Sequence, residues 1–346
     1  FLNQSGNKTS RPADEGDRNQ SGKLGKISYE LDGGTLAAGT LTEYGSADYG
    51  YTPPAPAKKN YTFTGWEPEN IPAGSTGTVT MTAKWTADVL GSISYNLDGG
   101  NISGEKASYT ADDYGYIPPT PTKTGYKFTG WSPAKIQTDS TGNVTFAASW
   151  EEETATTLDG ETLNARMKVL AGKKNADCYE VDTKITAIQH SIQEPSDEIK
   201  TNPTSLVSTE DSEVPVYMWF EDGTIKWWSA ANSVVANSNL NYLCHYMTNL
   251  IDISGLSDLD TKDVTSMRST FSACNNLTDL TALKRWDTRN LIDVSCIFSR
   301  CTSLSDLTPL ASWNTNNITN MGDMFKECIN LLNLNPLTNW NTSNVT

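Results

Sequence analysis

Apolar residues recur along this chain at three spacings, and each spacing marks a region. From Ile27 the period is two: Ile27, Tyr29 and Leu31, then Tyr61 and Phe63, then Val79, Met81, Ala83 and Trp85. That period predicts half-buried strands. Asp32-Gly33-Gly34 supplies a turn with positive-φ options, and Pro53, Pro54 and Pro56 forbid a central strand, predicting an extended connector instead. Every feature returns between Ile93 and Trp150, with Trp66 and Trp131 separated by 65 residues. Two tandem small β domains follow, over 27–86 and 92–151.

Ahead of them, residues 1–26 are Gly, Ser, Asn and charge with scarcely an apolar side chain, and read as a disordered tail or linker. After an acidic, Thr-rich joint, Leu163, Met167 and Leu170 stand at i, i+4 and i+7, with Gly172 placed to end a helix. Residues 185–192 are ambiguous between strand and helix, and 194–213 read as polar loop. Val216, Met218 and Phe220, the Asp222-Gly223 turn, and Ile225 and Trp227 predict a hairpin. Such an apolar hairpin suits a cap over the first unit of a repeat array, so 157–249 is expected to be an N-terminal cap.

The third spacing is close to triplet and repeats every 27 residues. Phe271, Cys274 and Leu277 return as Phe298, Cys301 and Leu304, and again as Phe325, Cys328 and Leu331; Trp286, Trp313 and Trp340 keep the same beat. No single helical or strand period holds through a unit, which predicts a solenoid whose coils mix a short strand, turns and a 3-10 piece, over 250–346. Residues 341–346 match the opening of another unit, and the chain is expected to be a fragment.

Two resemblances follow. The order DGG, YG with a PPxP segment, GYxFxGW (Gly125 to Trp131) and a terminal VTxxAxW resembles the Listeria-Bacteroides repeat, the B-repeat of internalin-type surface proteins. The first copy carries Asn60 where the second has Gly125, a place calling for left-handed backbone, which Asn tolerates. The resemblance implies a small β-grasp-like domain strung along secreted bacterial proteins. The block W-[DN]-T-x-N-[ILV]-x-x-[MV]-x-x-[MI]-F-x-x-C-x-x-L, read from Trp286 and Trp313, resembles the leucine-rich repeat of BspA-like and mycoplasma-lipoprotein surface proteins. Its first copy departs, with Leu259 in the tryptophan place and Thr270 before Phe271. The fold class expected is therefore mixed and β-rich: two β-grasp-like domains, then a capped leucine-rich-repeat solenoid.

Charge narrows the partners. With 26 basic and 41 acidic residues the net charge is −15, which repels phosphate backbones, so nucleic acid is not expected. No apolar run approaches the ~18 residues of a membrane span, so no direct membrane insertion is expected of this stretch. Three of the six cysteines share one repeat position, where they read as buried small apolar groups.

Candidate chemistry is sparse. The two histidines, His190 and His245, have no metal-ligand spacing around them, and neither a nucleophile elbow nor a phosphate-cradling loop occurs. No catalytic residue, metal or cofactor is expected. Tryptophans in register with the repeats read as core, whereas Tyr49, Tyr51, Tyr114 and Tyr116 flank loops and prolines and are candidates for a glycan-facing surface. In the array, positions between core residues vary from unit to unit, which is how repeat proteins diversify a binding face; Arg285, Asp287 and Arg289 are the candidates there. The reading is a non-enzymatic bacterial cell-surface protein, extracellular, with the B-repeats as spacer and the solenoid adhering to a host or bacterial surface protein. A carbohydrate-binding or cell-wall-associated module is the alternative, and the non-catalytic part of a larger secreted hydrolase the second.

Overall fold

The alternation that begins at Ile27 forms strand β1 (Gly25–Glu30), joined in one sheet by β2 (Glu43–Tyr44), β3 (Tyr61–Glu67) and β4 (Gly77–Ala87). These belong to a computed structural model describing residues 22–346; of the tail expected over 1–26, residues 1–21 lie outside the described residues. The sheet order is β2-β1-β4-β3, with β1 and β4 parallel at the centre and antiparallel strands at both edges. Ile27, Tyr44, Trp66, Ile71, Met81 and Ala83 make its core. Trp66 Nε1 donates to the Pro53 carbonyl oxygen at 3.0 Å, fixing the proline connector against the sheet.

The second repeat reproduces the plan with β5 (Gly91–Asn96), β6 (Ser108–Tyr109), β7 (Tyr126–Ser132) and β8 (Val144–Glu152), in the order β6-β5-β8-β7. The turn positions behave as their residues demand. Asp32 and Asp98 have φ of 46° and 47°, and Asn60 and Gly125 have 66° and 78°.

Backbone proximity divides the chain into two compact units: one reaches Asp98 and includes Ile102–Pro121 and Gly130–Ser149, the other takes Gly99–Asn101, Thr122–Thr129 and Trp150–Thr346. In the second unit the Thr-rich joint is a strand, β9 (Thr154–Thr156), because its backbone groups are paired to a later segment. Helix α1 (Gly160–Leu170) follows, its Asp159 carboxylate accepting the Thr162 N–H, and Gly172 past its end has φ 97°. The ambiguous segment resolves as strand β10 (Ala187–His190). The expected loop over 194–213 instead carries a short helix, α2 (Asp197–Thr201), whose acidic first turn suits a helix N-terminus. The hairpin forms as expected from β11 (Val216–Glu221) and β12 (Thr224–Ser229), with β10 parallel to β12 on its far side. Strands β13 (Ser233–Val235) and β14 (Leu259–Asp260) complete a three-stranded parallel ladder with β9. The architecture is thus β-rich, built of mixed sheets with few helices.

Over the 27-residue units the backbone bonds run between neighbours. Met267 N donates to Asp293 O and Val294 N to Asn320 O; Phe271 N donates to Ile297 O and Phe298 N to Met324 O, all at 2.9 to 3.1 Å. The repeated letters are accounted for by bonds across the same boundaries. Trp286, Trp313 and Trp340 each donate Nε1 to a carbonyl 30 residues earlier, at 2.8, 3.1 and 3.1 Å. Asp287, Asn314 and Asn341 accept the N–H two residues on, closing a local turn. Thr261, Thr288 and Thr315 accept the N–H of Asp287, Asn314 and Asn341. Asn290, Asn317 and Asn344 donate to the carbonyls of Lys262, Arg289 and Asn316. Phe271, Phe298 and Phe325 stack with centroids 5.7 and 5.9 Å apart.

The same ladder extends upstream of residue 250, where the sequence pattern begins the array. Leu240, Tyr242, Cys244 and Tyr246 donate to Ser266, Arg268, Thr270 and Ser272. Cys244, Met247 and Leu250 therefore stand in the places of Phe271, Cys274 and Leu277. The substitution of apolar type hides this unit from the motif while preserving its burial. The segment before the array shares one continuous core with it: Leu163, Met167, Ile188, Met218 and Trp227 pack with Leu256, Phe271 and onward to Cys328.

Candidate functional site

Unit geometry places Asp258 and Arg285 at equivalent positions, each ending a 3-10 turn, Ser254–Asp258 and Thr281–Arg285. Arg285 Nη1 lies 4.0 Å from Asp258 Oδ1, and the Arg285 side chain is 73% exposed. Asp258 is held from the other side by His190 at the end of β10, with Nδ1 2.9 Å from Oδ2. His190 lies flat on Trp227, centroids 3.9 Å apart and planes 5° from parallel. Trp227 is buried and its Nε1 donates to Gly255 O at 3.1 Å. Gly255 must lack a side chain, because a Cβ there would sit 2.5 Å from the Gln189 Cα and the His190 N.

Two clefts open on either side of Arg285. One, of about 450 Å³, is lined by Ile251, Asp252, Ser254, Asp279 and Thr281; the other, of about 410 Å³, by His190, Trp227, Asn232, Asp258 and Asp260. Ser257 and Arg285 border both. The carboxylates of the first cleft are committed to the backbone. Asp279 accepts the Thr281 N–H at 2.8 Å and is held below the usual range by its bonds from the Thr281 hydroxyl and N–H. Burial acts to raise Asp252, but the bonds from Gln189 and Ser254 outweigh it and its acidity is increased. Arg285 keeps most of its donors for solvent or a ligand, which makes it the one strong anchor between the clefts.

Of the binding residues proposed from sequence, only Arg285 lines this site. Asp287 and Arg289 satisfy each other in a two-point pair, Nη2 to Oδ2 at 2.8 Å and Nε to Oδ1 at 3.0 Å, which lowers Asp287 and raises Arg289. The four tyrosines are half-buried rather than turned to solvent. Tyr49 and Tyr114 donate to the carbonyls of Ser75 and Ser140, and Tyr51 packs on the first-repeat core. Tyr116 stands beside Phe146, its hydroxyl accepting the Lys106 N–H. Loop and proline neighbours give no sign of such bonds, so the pattern alone could not exclude them. His190, Trp227 and Asp258 went unremarked as site residues, although Asp258 lies one repeat before Arg285 and period alone would have paired them.

Comparison with known proteins bears on both halves. Residues 26–88 and 92–159 match the Listeria-Bacteroides repeat domain. Residues 238–346 match the family described as Mycoplasma protein of unknown function, DUF285, and so include the upstream unit that the backbone ladder reveals. Both halves are similar to bacterial repeat families. A stretch of 155 residues is 28% identical to a protein of Evansella cellulosilytica provisionally named a Gly-rich membrane protein, covering 41% of this chain and 16% of that protein. The chain spans only that small part of its relative's length. No solved structure matches it. The repeats are of a type typical of bacterial surface proteins.

Proposed function

We propose that this chain is a non-enzymatic part of an extracellular bacterial cell-surface protein, with its two N-terminal repeats as a spacer and its 27-residue array as a leucine-rich solenoid that adheres to a protein partner. The order β2-β1-β4-β3 with a parallel central pair supports a β-grasp-like reading of the spacer. Bonds repeated at fixed sequence separations support the solenoid.

The observation that carries the reading is the exposed Arg285 between two clefts, held at the end of a rigid turn beside the His190–Trp227 stack. Arginine with an adjoining aromatic floor is a frequent anchor in protein recognition. A partner carboxylate would take the guanidinium fork.

Fluorescently labelled chain should bind host epithelial or bacterial cells, and mild surface proteolysis of those cells should abolish the signal. Arg285→Glu should reduce it at least tenfold. Binding that survives proteolysis but is lost on periodate oxidation of surface sugars would replace the reading with the carbohydrate alternative, and no binding to any cell would leave a spacer role alone.

A further inference from the structure

Each 27-residue unit holds two residues with left-handed backbone: Tyr242 and Tyr246, Ser269 and Ala273, Cys296 and Arg300, Asp323 and Glu327, with φ between 53° and 64°. The geometry serves the framework, since Tyr242, Ser269 and Cys296 aim their N–H groups at Arg268, Ser295 and Gly322 of the next unit. Glycine would meet that demand at least cost, yet none of the eight is glycine. The side chains at these positions change along the array from aromatic, to small and buried, to charged.

The aromatic end is a cluster. Tyr242 and Tyr246 flank His245, with centroids 5.4 and 4.2 Å away, and Tyr179 comes from the loop after α1 to lie 5.6 Å from Tyr242 and 5.8 Å from His245. Tyr179 is 59% exposed. Two wholly buried polar side chains one turn apart on α1 hold the cluster from beneath. Asn164 Nδ2 donates to the carbonyls of Tyr242, Leu243 and His245 at 2.8, 3.2 and 3.1 Å. Lys168 Nζ donates to the carbonyls of Asp177 and Cys178 at 3.3 and 3.1 Å, pinning the loop that ends in Tyr179. Burying an amide and an ammonium costs free energy that such bonds offset, so both halves of the ring cluster are fixed by dedicated groups.

Serines and paired charges follow the rings along the neighbouring units. Ser269, Ser272 and Ser299 are buried in the following units, and beyond them Arg300 pairs with Glu327 and Lys326 with Asp323 at 3.2 and 3.1 Å. His245 is uncharged at neutral pH, since desolvation and then the Lys168 ammonium hold its pKa at about 4. We infer that the Tyr179–Tyr242–Tyr246 face binds neutral saccharide, a pyranose lying its C–H face against a tyrosine ring while its hydroxyls reach the polar rim around the rings. A rigid amphipathic ring offers large contact area with few bonds to freeze, which suits a ligand that is apolar on its face and polar at its rim.

The inference goes beyond the Arg285 reading and is tested separately from it. Full chain is titrated calorimetrically with cellohexaose, laminarihexaose, mannohexaose and chitohexaose, with hexagalacturonate as an anionic control and decaproline as a peptide control. At least one neutral hexaose should bind, and neither control should. Tyr179→Ala and Tyr246→Gly should each weaken binding tenfold or more, while Arg285→Glu leaves it unchanged. Glycine suits the backbone at 246, so a melting curve separates loss of binding from loss of fold there, and exposed Tyr179 provides a second variant. Absence of binding to all four neutral hexaoses, binding of decaproline or hexagalacturonate in their place, or undiminished affinity in both tyrosine variants would overturn the inference.

Discussion

Cys301 Sγ lies 3.1 Å from the carbonyl oxygen of Phe271, thirty residues earlier. Cys274 makes the same contact with Cys244, and Cys328 with Phe298, at 3.1 and 3.0 Å. The cysteine of the repeat is thus a buried weak donor to the preceding unit.

Thiol reactivity should follow. Burial pushes the Cys274 and Cys301 thiols well above their ordinary value and Cys178 up to about 11, and of the six cysteines only Cys296 is not buried. Ellman's reagent should modify one thiol per native chain, at Cys296, and six after denaturation. Cys301→Ala should lower stability by about 1–2 kcal/mol in urea unfolding, chiefly through lost packing, since the Phe271 carbonyl keeps the Cys274 N–H as a donor.

The left-handed columns predict a gain. Ala273 has φ 60° and is nearly buried, so Ala273→Gly should raise stability by about 0.5–1 kcal/mol, the relief of backbone strain exceeding the entropy that glycine adds to the unfolded chain. Ala282→Gly, in a 3-10 turn of ordinary φ, should lower it by about 1 kcal/mol. Urea midpoints moving in the same direction for both would refute the strain argument.

A contrast between the two repeats follows from Asn60 and Gly125. A Cβ at 125 would lie 3.0 to 3.1 Å from the Asn232 N, Cα and Cβ, so Gly125→Asn should destabilise despite Asn being the residue of the first copy. Asn60→Gly should cost little, since both tolerate the left-handed backbone. Thermal melts of the two variants side by side test the difference.

Acid should act through His245. Its pKa is about 6.5 when unfolded and about 4 in the fold, where desolvation, and then Lys168 and Arg300, oppose charging. As pH falls from 6.5 towards 4 the unfolded chain takes up a proton that the native chain refuses, so stability is lost in that window, by up to about 3 kcal/mol. Lys168 works at the alkaline side: desolvation lowers it to about 8 from 10.5, so stability rises with pH between those values as the unfolded chain alone remains protonated. His245→Phe should remove the acid loss relative to the unmodified chain, and Lys168→Met the alkaline gain. A native-minus-variant difference that stays flat across either window would contradict the assignment.

Much of the fold was legible because its signals are local or periodic. Residues Ile27, Met81 and Phe146 alternate inward because neighbouring side chains on a strand point to opposite faces. Asp32 and Asp222 adopt the positive φ that their turn neighbours announce. The 27-residue beat of Phe, Cys, Leu and Trp needs no coordinates to be seen. The candidate site was legible only at Arg285.

What the amino-acid order determined by itself was repetition: where strands alternate, where turns fall, and which rows face the core, since period and turn chemistry act between residues close in the chain. Tertiary structure alone decided which distant groups meet. His190 reaches Asp258 across 68 residues, Asn164 reaches Tyr242 across 78, and Tyr49 spends its hydroxyl on Ser75. Such pairings depend on how separate elements pack, and no spacing along one segment carries that information.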